Sequence, residues 1–98
     1  MLVIQERFRC KPGKAKELAE KFKKSNELME KATGRTMGRV LVDVVSDYWT
    51  VVLEHEAEDL AALEAEMNER VEIEGMEEVM AGYMDLVEGG GREIFRIA

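Results

Sequence analysis

The stretch LVIQERFRCKPGKAKELAEKFKKSNELMEKATG, residues 2–34, decides the fold, because its hydrophobic pattern changes from alternating to helical. Alternation over residues 2–10 predicts a strand, and apolar residues at spacings of three and four predict an amphipathic helix over residues 12–33. Pro12 suits the first helical turn, and Gly34 suits the left-handed position just after the last one. The chain therefore opens with a strand followed by a long helix.

The next segment, residues 37–55, predicts a β-hairpin. Residues 37–45 and 48–55 are both rich in β-branched and aromatic side chains, and only Ser46 and Asp47 separate them. We therefore expect two antiparallel strands joined at Ser46 and Asp47, either by a two-residue turn or, since Ser-Asp is a weaker turn signal than Asn-Gly, by a loop that takes in a flanking residue.

The C-terminal half adds a second helical region and a last strand. One apolar stripe runs through residues 57–70 and another through residues 76–83, with a break around Gly75, so we expect two helical pieces. Residues 93–97 predict a short closing strand, and the glycine-rich residues 88–91 before it predict a flexible connection. The order of elements is then βαββαβ, an α+β fold.

Length and composition fit one globular domain, residues 1–98, with 46% hydrophobic and 36% charged residues. No apolar run approaches the roughly 20 residues that span a bilayer, so we expect no contact with membranes. The N-terminal residues lack the pattern of a secretory signal, and we expect the chain to stay in the cytoplasm. A net charge of -7 argues against nucleic acid as a partner, and the single cysteine, Cys10, cannot form an intrachain disulfide.

Four features of the chain together carry a resemblance to a known fold. They are the Lys11-Pro12-Gly13-Lys14 exit from the first strand, the hairpin, the Glu58-Asp59-Leu60 opening of the second helical region, and the terminal strand around residues 92–96. This combination resembles the dimeric α/β-barrel superfamily, which includes antibiotic-biosynthesis-monooxygenase-like and NIPSNAP-like domains. The resemblance implies a ferredoxin-like fold with a four-stranded antiparallel sheet. It also implies a homodimer whose two sheets pack into one barrel, with ligands held between sheet and helices or inside the barrel.

The side-chain pattern predicts a homodimer independently. In a βαββαβ unit both helices cover one face of the sheet, so the other face must meet water, a ligand or a second subunit. Strand alternation places four apolar side chains on this helix-free face, namely Val3, Leu41, Val52 and Ile94. We therefore expect two copies to pair through their sheet faces.

The same alternation predicts a cluster of four arginines on the helix-free face, namely Arg7, Arg39, Arg92 and Arg96. Asp43 and Glu54 are expected beside them, so positive charge exceeds negative charge on this face of an acidic protein. Guanidinium groups bind carboxylates through paired donors, which predicts a site for an anionic or carbonyl-bearing small molecule. We expect Arg7, Arg39, Glu54 and Arg96 to contribute to it. The alternative is that these charges pair with one another across the subunit interface.

A catalytic role would fall to His55, the single histidine. Trp49 is expected on the same side of its strand, and some members of the superfamily place Trp, His and Asn around an oxidisable substrate. The resemblance thus implies that His55 acts as acid or base and that Trp49 lines the ligand site, with Gln5 as at most a polar substitute for the Asn. The acids near His55 match no metal-ligand spacing, and no cofactor motif occurs, so we expect neither a metal nor a cofactor.

Two further residue types leave alternatives open. Cys10 lies between two basic residues just before a helix start, which allows either a reactive thiolate or an ordinary strand-end thiol. Methionines recur in the second helical region, where their flexible thioethers either line an adaptable apolar pocket or pack in the core. They are Met67, Met76, Met80 and Met84.

Two functions remain open from the sequence. The first is a homodimer that binds a small hydrophobic or anionic molecule or simply assembles. The second is a cofactor-independent monooxygenase-like enzyme that acts on an aromatic or polyketide-like substrate. In the second case Arg7, Arg39, Trp49 and His55 would position the substrate.

Overall fold

The computed structural model describes residues 1–69 and 71–98 and confirms the βαββαβ order. The elements are β1 (Leu2–Cys10), α1 (Ala15–Thr33), β2 (Arg39–Val42), β3 (Thr50–Ala57), α2 (Leu60–Asn68), α3 (Met76–Met80), a 3-10 helix (Tyr83–Leu86) and β4 (Val87–Arg96). The four strands form one antiparallel sheet in the order β2-β3-β1-β4. Residue 70, the end predicted for the first stripe of the second helical region, lies outside the described residues.

The first helix, α1, supplies most of the core above the sheet. Its apolar stripe is buried at Leu18, Ala19 and Phe22, and the Phe22 ring lies 5.1 Å from that of Phe8 on β1. Gly34 ends the helix in the left-handed conformation, with φ of 77°, and donates its N–H to the carbonyl of Glu30. The C-terminal end of α1 is therefore as predicted. Its N-terminal end is not, because the helix begins at Ala15 and not at Pro12, and residues 11–14 connect it to β1.

The second helical region is split in two, as predicted, and it is held less firmly than α1. Asp59 caps α2 by accepting the N–H of Ala62 at 2.8 Å, and Leu63 is the buried residue of that helix. The short α3 is fixed to α1 because Lys21 donates to the backbone carbonyls of Val79 and Ala81 at 3.2 and 2.9 Å.

The hairpin differs from its prediction, because its loop is longer than either of the two expected forms. The strands end at Val42 and restart at Thr50, so the predicted strand residues on either side of Ser46 belong to the loop. The carboxylate of Asp43 accepts the hydroxyl of Ser46 at 2.7 Å and the N–H of Thr50 at 3.0 Å. These side-chain bonds replace ladder bonds and let the chain leave the sheet early.

The glycine-rich segment also differs from its prediction, since it is strand and not a flexible connection. Gly89, Gly90 and Gly91 pair with β1 inside β4. A Cβ on Gly90 would lie 2.0 Å from the carbonyl oxygen of Arg7, so a glycine is required where the two backbones approach. The closing strand is therefore ten residues long and begins at Val87.

The predicted facing of β4 is wrong, although that of the other strands is right. Arg92, Ile94 and Arg96 lie opposite Glu6, Ile4 and Leu2, so they project to the side of the sheet that carries the helices. The open face of β4 carries Glu93 and Phe95 instead. Apolar and charged residues occur on both sides of this strand, so alternation alone gave no basis for choosing the face.

Candidate functional site

A cavity of about 470 Å³ lies between the helix-covered face of the sheet and α2. Four apolar side chains contribute to its wall, and they come from α1, the α1–β2 connection and α2: Met29, Met37, Leu63 and Met67. The remaining lining residues are Glu6, Arg35, Thr36, His55, Glu56, Glu66 and Glu69. The cavity is thus an apolar hollow with charged residues and one histidine in its wall.

His55 is the predicted site residue that the structure places in this cavity. It lies on β3 opposite Ile4, on the helix-covered side of the sheet. Its Nδ1 is buried, and no hydrogen-bond partner for it occurs among residues 1–69 and 71–98. Buried polar atoms are nearly always paired, so an unpaired ring nitrogen distinguishes His55 from a core histidine satisfied by its neighbours.

The wall around His55 is held by a residue that the sequence argument did not identify, Asn26 on α1. Its amide donates to the carbonyl of Gly38 and accepts the N–H of Met37, both at 2.8 Å. Gly38 in turn packs so closely on β3 that a Cβ there would lie 3.0 Å from the Cβ of His55. Asn26 interrupts the apolar stripe of α1 between Phe22 and Met29. A polar residue at this place in the stripe was the feature of the sequence from which its role could have been predicted.

One ion pair and one weaker contact attach α2 beside the cavity. Both carboxylate oxygens of Glu69 lie 3.0 Å from Nη2 of Arg35, which joins the end of α2 to the α1–β2 connection. Arg92 on β4 pairs through Nε with Glu6 and directs Nη1 to the sulfur of Met67 at 3.6 Å. Of the methionines in the second helical region, Met67 therefore lines the cavity and Met80 packs against the core, while both Met67 and Met84 are more than half exposed.

The structure divides the predicted arginine cluster between the two faces. Arg7 and Arg39 lie on the open face, and Arg92 and Arg96 lie on the other, so Arg96 does not join the predicted site. Arg7 pairs with Glu93 at 3.3 Å on the open face. Arg39, Arg7 and Arg92 each find a carboxylate within the same chain, which accounts for their charges without a ligand.

Glu54 lies at the centre of the open-face network. It accepts Nε2 of Gln5 at 2.9 Å and pairs with the guanidinium of Arg39. The hydrogen bonds from Gln5 and Arg39 hold the pKa of the Glu54 carboxyl below its usual range, and the same pairing raises the pKa of Arg39. A second hollow of about 260 Å³ lies on this face, where Arg7, Leu41 and Val52 are part of its lining.

Trp49 does not belong to β3, where it was predicted on the same side of the strand as His55. It belongs to the loop before β3, with φ of 53°, and its side chain is 43% exposed. Its carbonyl accepts the N–H of Cys10 at 2.7 Å, so its role in the structure is to join the loop to β1. The predicted positioning set is therefore not assembled in one chain, since Arg7 and Arg39 lie on the opposite face from His55.

The thiol of Cys10 is buried in the core. Burial raises its pKa, and the negative charge of Asp43 adds to that effect. Both causes favour the protonated thiol, so the geometry favours an ordinary strand-end cysteine over a reactive thiolate.

Comparisons with solved structures identify the fold. A NIPSNAP domain protein from Burkholderia xenovorans superimposes with a TM-score of 0.76 at 14% identity, covering 100% of this chain and 95% of the other. A NIPSNAP family protein from Agrobacterium tumefaciens superimposes with a TM-score of 0.67 at 15% identity, covering 100% of this chain and 94% of the other. A candidate antibiotic biosynthesis monooxygenase from Deinococcus radiodurans superimposes with a TM-score of 0.64 at 12% identity, covering 100% of this chain and 93% of the other. Neither a protein-family model nor a curated protein matches the sequence.

The chain therefore has the ferredoxin-like fold that NIPSNAP and antibiotic-biosynthesis-monooxygenase-like domains share, as the resemblance predicted. At sequence identities of 12–15% the structural similarity shows the fold alone. The function must be argued from the site. In the described part of the chain no helix is long and apolar enough to cross a membrane. Residues 1–69 and 71–98 also contain no cluster of three His, Cys, Asp or Glu side chains suited to a metal ion, and the expected absence of a metal stays a prediction.

Proposed function

We propose that the protein is a small-molecule-binding homodimer that holds a predominantly apolar ligand in the cavity between the sheet and α2. The observation that carries the proposal is the cavity itself, about 470 Å³ with four apolar side chains and His55 in its wall. Ligand sites typically combine such a volume with an apolar lining and a few polar groups. Three of the four apolar residues are methionines, whose flexible side chains adapt to ligands of different shape.

The weak attachment of α2 supports entry of a ligand. Leu63 is the buried residue of α2, whereas α1 buries Ala15, Leu18, Ala19, Phe22 and Ser25. A helix with little buried surface can move away from the sheet at low free-energy cost. Movement of α2 would open the cavity without disturbing the core under α1.

The open face of the sheet supports the dimer. Its apolar side chains are Val3, Leu41, Val52 and Phe95, with Phe95 in the place predicted for Ile94. Leu41 and Phe95, on the two edge strands, are 37% and 51% exposed, so each edge of this face leaves a large apolar side chain open. A second copy would cover them, and two arginines of this face, Arg7 and Arg39, already have carboxylate partners.

Binding can be tested with the neutral fluorescent probe N-phenyl-1-naphthylamine. We expect saturable binding to the wild-type protein, weakened by about tenfold or more in Met67→Trp, because the indole would fill part of the cavity. Met84→Trp is the matched control, since Met84 is exposed to a similar degree, 64% against 56% for Met67, but does not line the cavity. Equal binding by the two variants, or no binding by the wild-type protein, would contradict the proposal. Native mass spectrometry of the freshly purified protein would show a retained ligand directly.

A second function is favoured by one observation, the position of His55 in the cavity wall. It is a cofactor-independent, oxygen-using enzyme in which the His55 imidazole takes the hydroxyl proton of a hydroxyaromatic substrate. Molecular oxygen then oxidises the resulting anion to a quinone: one oxygen atom replaces a ring hydrogen, and the other leaves as water with that hydrogen and the proton returned by His55. His55→Ala should then abolish oxygen consumption while leaving probe binding intact. Full oxygen consumption by His55→Ala would rule out this mechanism and leave the binding function.

A further inference from the structure

We infer that the apolar ligand of this cavity carries a neutral carbonyl group, whose oxygen accepts a hydrogen bond from the Nε2–H of His55. The inference rests on the proposed function, because it assumes that the ligand lies in the cavity between the sheet and α2. It adds the chemical class of the ligand, which the apolar lining alone does not define. The basis is the placement of the two ring nitrogens of His55.

The two nitrogens of the His55 ring differ in their surroundings. Nδ1 is buried and has no hydrogen-bond partner in residues 1–69 and 71–98. The side chain as a whole is only partly buried and contributes to the cavity wall. The accessible part of the ring therefore lies away from Nδ1, on the distal edge that carries Nε2. Nε2 also has no hydrogen-bond partner in the described part of the chain.

This difference assigns the proton of the neutral ring. A neutral imidazole has one nitrogen that donates a hydrogen bond and one that accepts. A proton on Nδ1 would bury an N–H group without an acceptor, and orphaned N–H donors are rarer in folded proteins than orphaned acceptors. With the lone pair on Nδ1, the proton lies on Nε2, where a ligand in the cavity can accept its hydrogen bond.

An N–H donor in a largely apolar wall selects a ligand that has an acceptor. A ketone, ester or amide oxygen accepts such a bond without bringing a charge into the cavity. Arg35, the cation among the described lining residues, is already bound by both carboxylate oxygens of Glu69 at 3.0 Å. The same tautomer leaves Nε2 no lone pair with which to take a proton, so the inference also counts against the oxygen-using mechanism.

The tautomer can be measured directly, because His55 is the single histidine of the chain. Long-range ¹H–¹⁵N correlation spectra of the ¹⁵N-labelled protein, recorded over a series of pH values, distinguish the two nitrogens of the neutral ring. We expect the neutral ring to carry its proton on Nε2, both in the free protein and with a ligand bound. A proton on Nδ1 would overturn the inference.

Two ligands of one shape test the carbonyl preference, namely 1-indanone and indane, which has a methylene group in place of the carbonyl. Their affinities are measured by displacement of N-phenyl-1-naphthylamine. The quantity compared is the ratio of ketone to hydrocarbon affinity, since the difference in hydrophobicity between the two ligands is the same for every variant. His55→Phe keeps an aromatic ring but removes both nitrogens, so it should lower this ratio about fivefold, the contribution of one neutral hydrogen bond. His55→Gln offers an amide N–H and should recover part of the ratio.

Thr36→Val is the matched control, because Thr36 is the other neutral polar residue among the described residues of the wall. The ratio of ketone to hydrocarbon affinity should stay close to that of the wild-type protein. A loss in Thr36→Val as large as that in His55→Phe would show that the hydrogen bond does not come specifically from His55, and the inference would be wrong.

The remaining outcomes separate the inference from the proposed function. If the ratio is unchanged in His55→Phe while both ligands still bind more weakly to Met67→Trp, the carbonyl preference is wrong and the binding function stands. Failure of 1-indanone to displace a fluorophore that the wild-type protein binds would contradict the inference in the same way. If the wild-type protein does not bind the fluorophore, or binds it equally well as Met67→Trp, the proposed function fails and the inference fails with it.

Discussion

The two faces of the sheet satisfy their side chains by different means. On the helix-covered face Leu2, Ile4, Val51 and Leu53 are buried under the helices. On the open face Glu54 binds Gln5 and Arg39, and Arg7 forms a separate ion pair with Glu93. Because Arg7 and Arg39 already have carboxylate partners on this face, a second copy can cover them without leaving either guanidinium unpaired.

The helix-covered face is itself uneven, and the difference between α1 and α2 locates the cavity. Under α1 the core is filled, and the rings of Phe8 and Phe22 are in contact at 5.1 Å. Under α2 a smaller cluster contains Leu2, Ile4, Ala57 and Leu63, and the cavity opens beside it. Stability is therefore concentrated under α1, and ligand access under α2.

Replacing Phe22 with Ala should give the largest loss of stability. Its ring is 2% exposed and contacts Phe8, so the substitution removes apolar contacts and leaves a cavity in the main core. We expect a loss of about 3–5 kcal/mol in the free energy of unfolding, measured by urea denaturation. A loss below about 1 kcal/mol would contradict the assignment of the core to α1.

Replacing Leu41 with Asp should have the next largest effect, on association and not on folding. The side chain lies on the open face and is 37% exposed in one chain, so a charge there is tolerated by the monomer but not in a covered interface. We expect the dissociation constant of the dimer to rise by about a hundredfold in analytical ultracentrifugation. Leu60→Asp, on the exposed side of α2, is the control and should leave the dimer intact. Sedimentation of the wild-type protein as an 11.2 kDa species at micromolar concentration would contradict the dimer itself.

Replacing Leu63 with Ala should cost less than replacing Phe22 and should act locally. The side chain is 6% exposed but lies beside an existing cavity, where its neighbours can partly collapse. We expect the free energy of unfolding to fall by about 2 kcal/mol, which is at the lower end of the range for replacing a buried leucine with alanine. Hydrogen exchange should accelerate in α2 while the amides of α1 keep their protection. Equal acceleration in both helices would show that α2 is not a separately held element.

These differences also explain how much of the fold could be predicted. The stripe of α1 and the glycine that ends it are local patterns, and both were correct. The helical period breaks at Gly75, where φ is 84°, so the split of the second helical region was visible as well. The features that depend on partners distant in sequence were not visible. The carboxylate of Asp43 closes the hairpin loop by accepting the N–H of Thr50. Gly90 is required within β4 because the backbone of β1 lies too close to leave room for a side chain.

The site was predictable only in part, for the same reason. His55 could be identified as the single histidine, but its wall is built by Asn26 and Gly38 through contacts between elements. The sequence predicted all four arginines on one face, but β4 carries apolar and charged residues on both sides, so the direction of its side chains followed only from its pairing with β1. The carboxylate partners within one chain could not be inferred before that register was known.

The smallest expected effect is a change in the acid sensitivity of the open face. Gln5 and Arg39 lower the pKa of Glu54 in the folded protein, so their interaction stabilises the fold above the ordinary pKa of a glutamate, about 4.3. As pH falls through the lower, folded pKa, Glu54 becomes protonated and this stabilisation is lost. Glu54→Gln should therefore be less stable than the wild-type protein at neutral pH but lose less of its stability on acidification, as measured by urea denaturation at a series of pH values. Glu77→Gln, at an exposed position, should follow the wild-type curve.

The same titration connects stability with assembly. Protonation of Glu54 leaves the guanidinium of Arg39 without its partner on the face that a second copy would cover. An unpaired charge is costly in a covered interface, so acid should dissociate the dimer at a higher pH than it unfolds the chain. Sedimentation across the same pH series checks this order. Dissociation and unfolding at one common pH would place Glu54 outside the interface, and the open face would then be paired for its own stability alone.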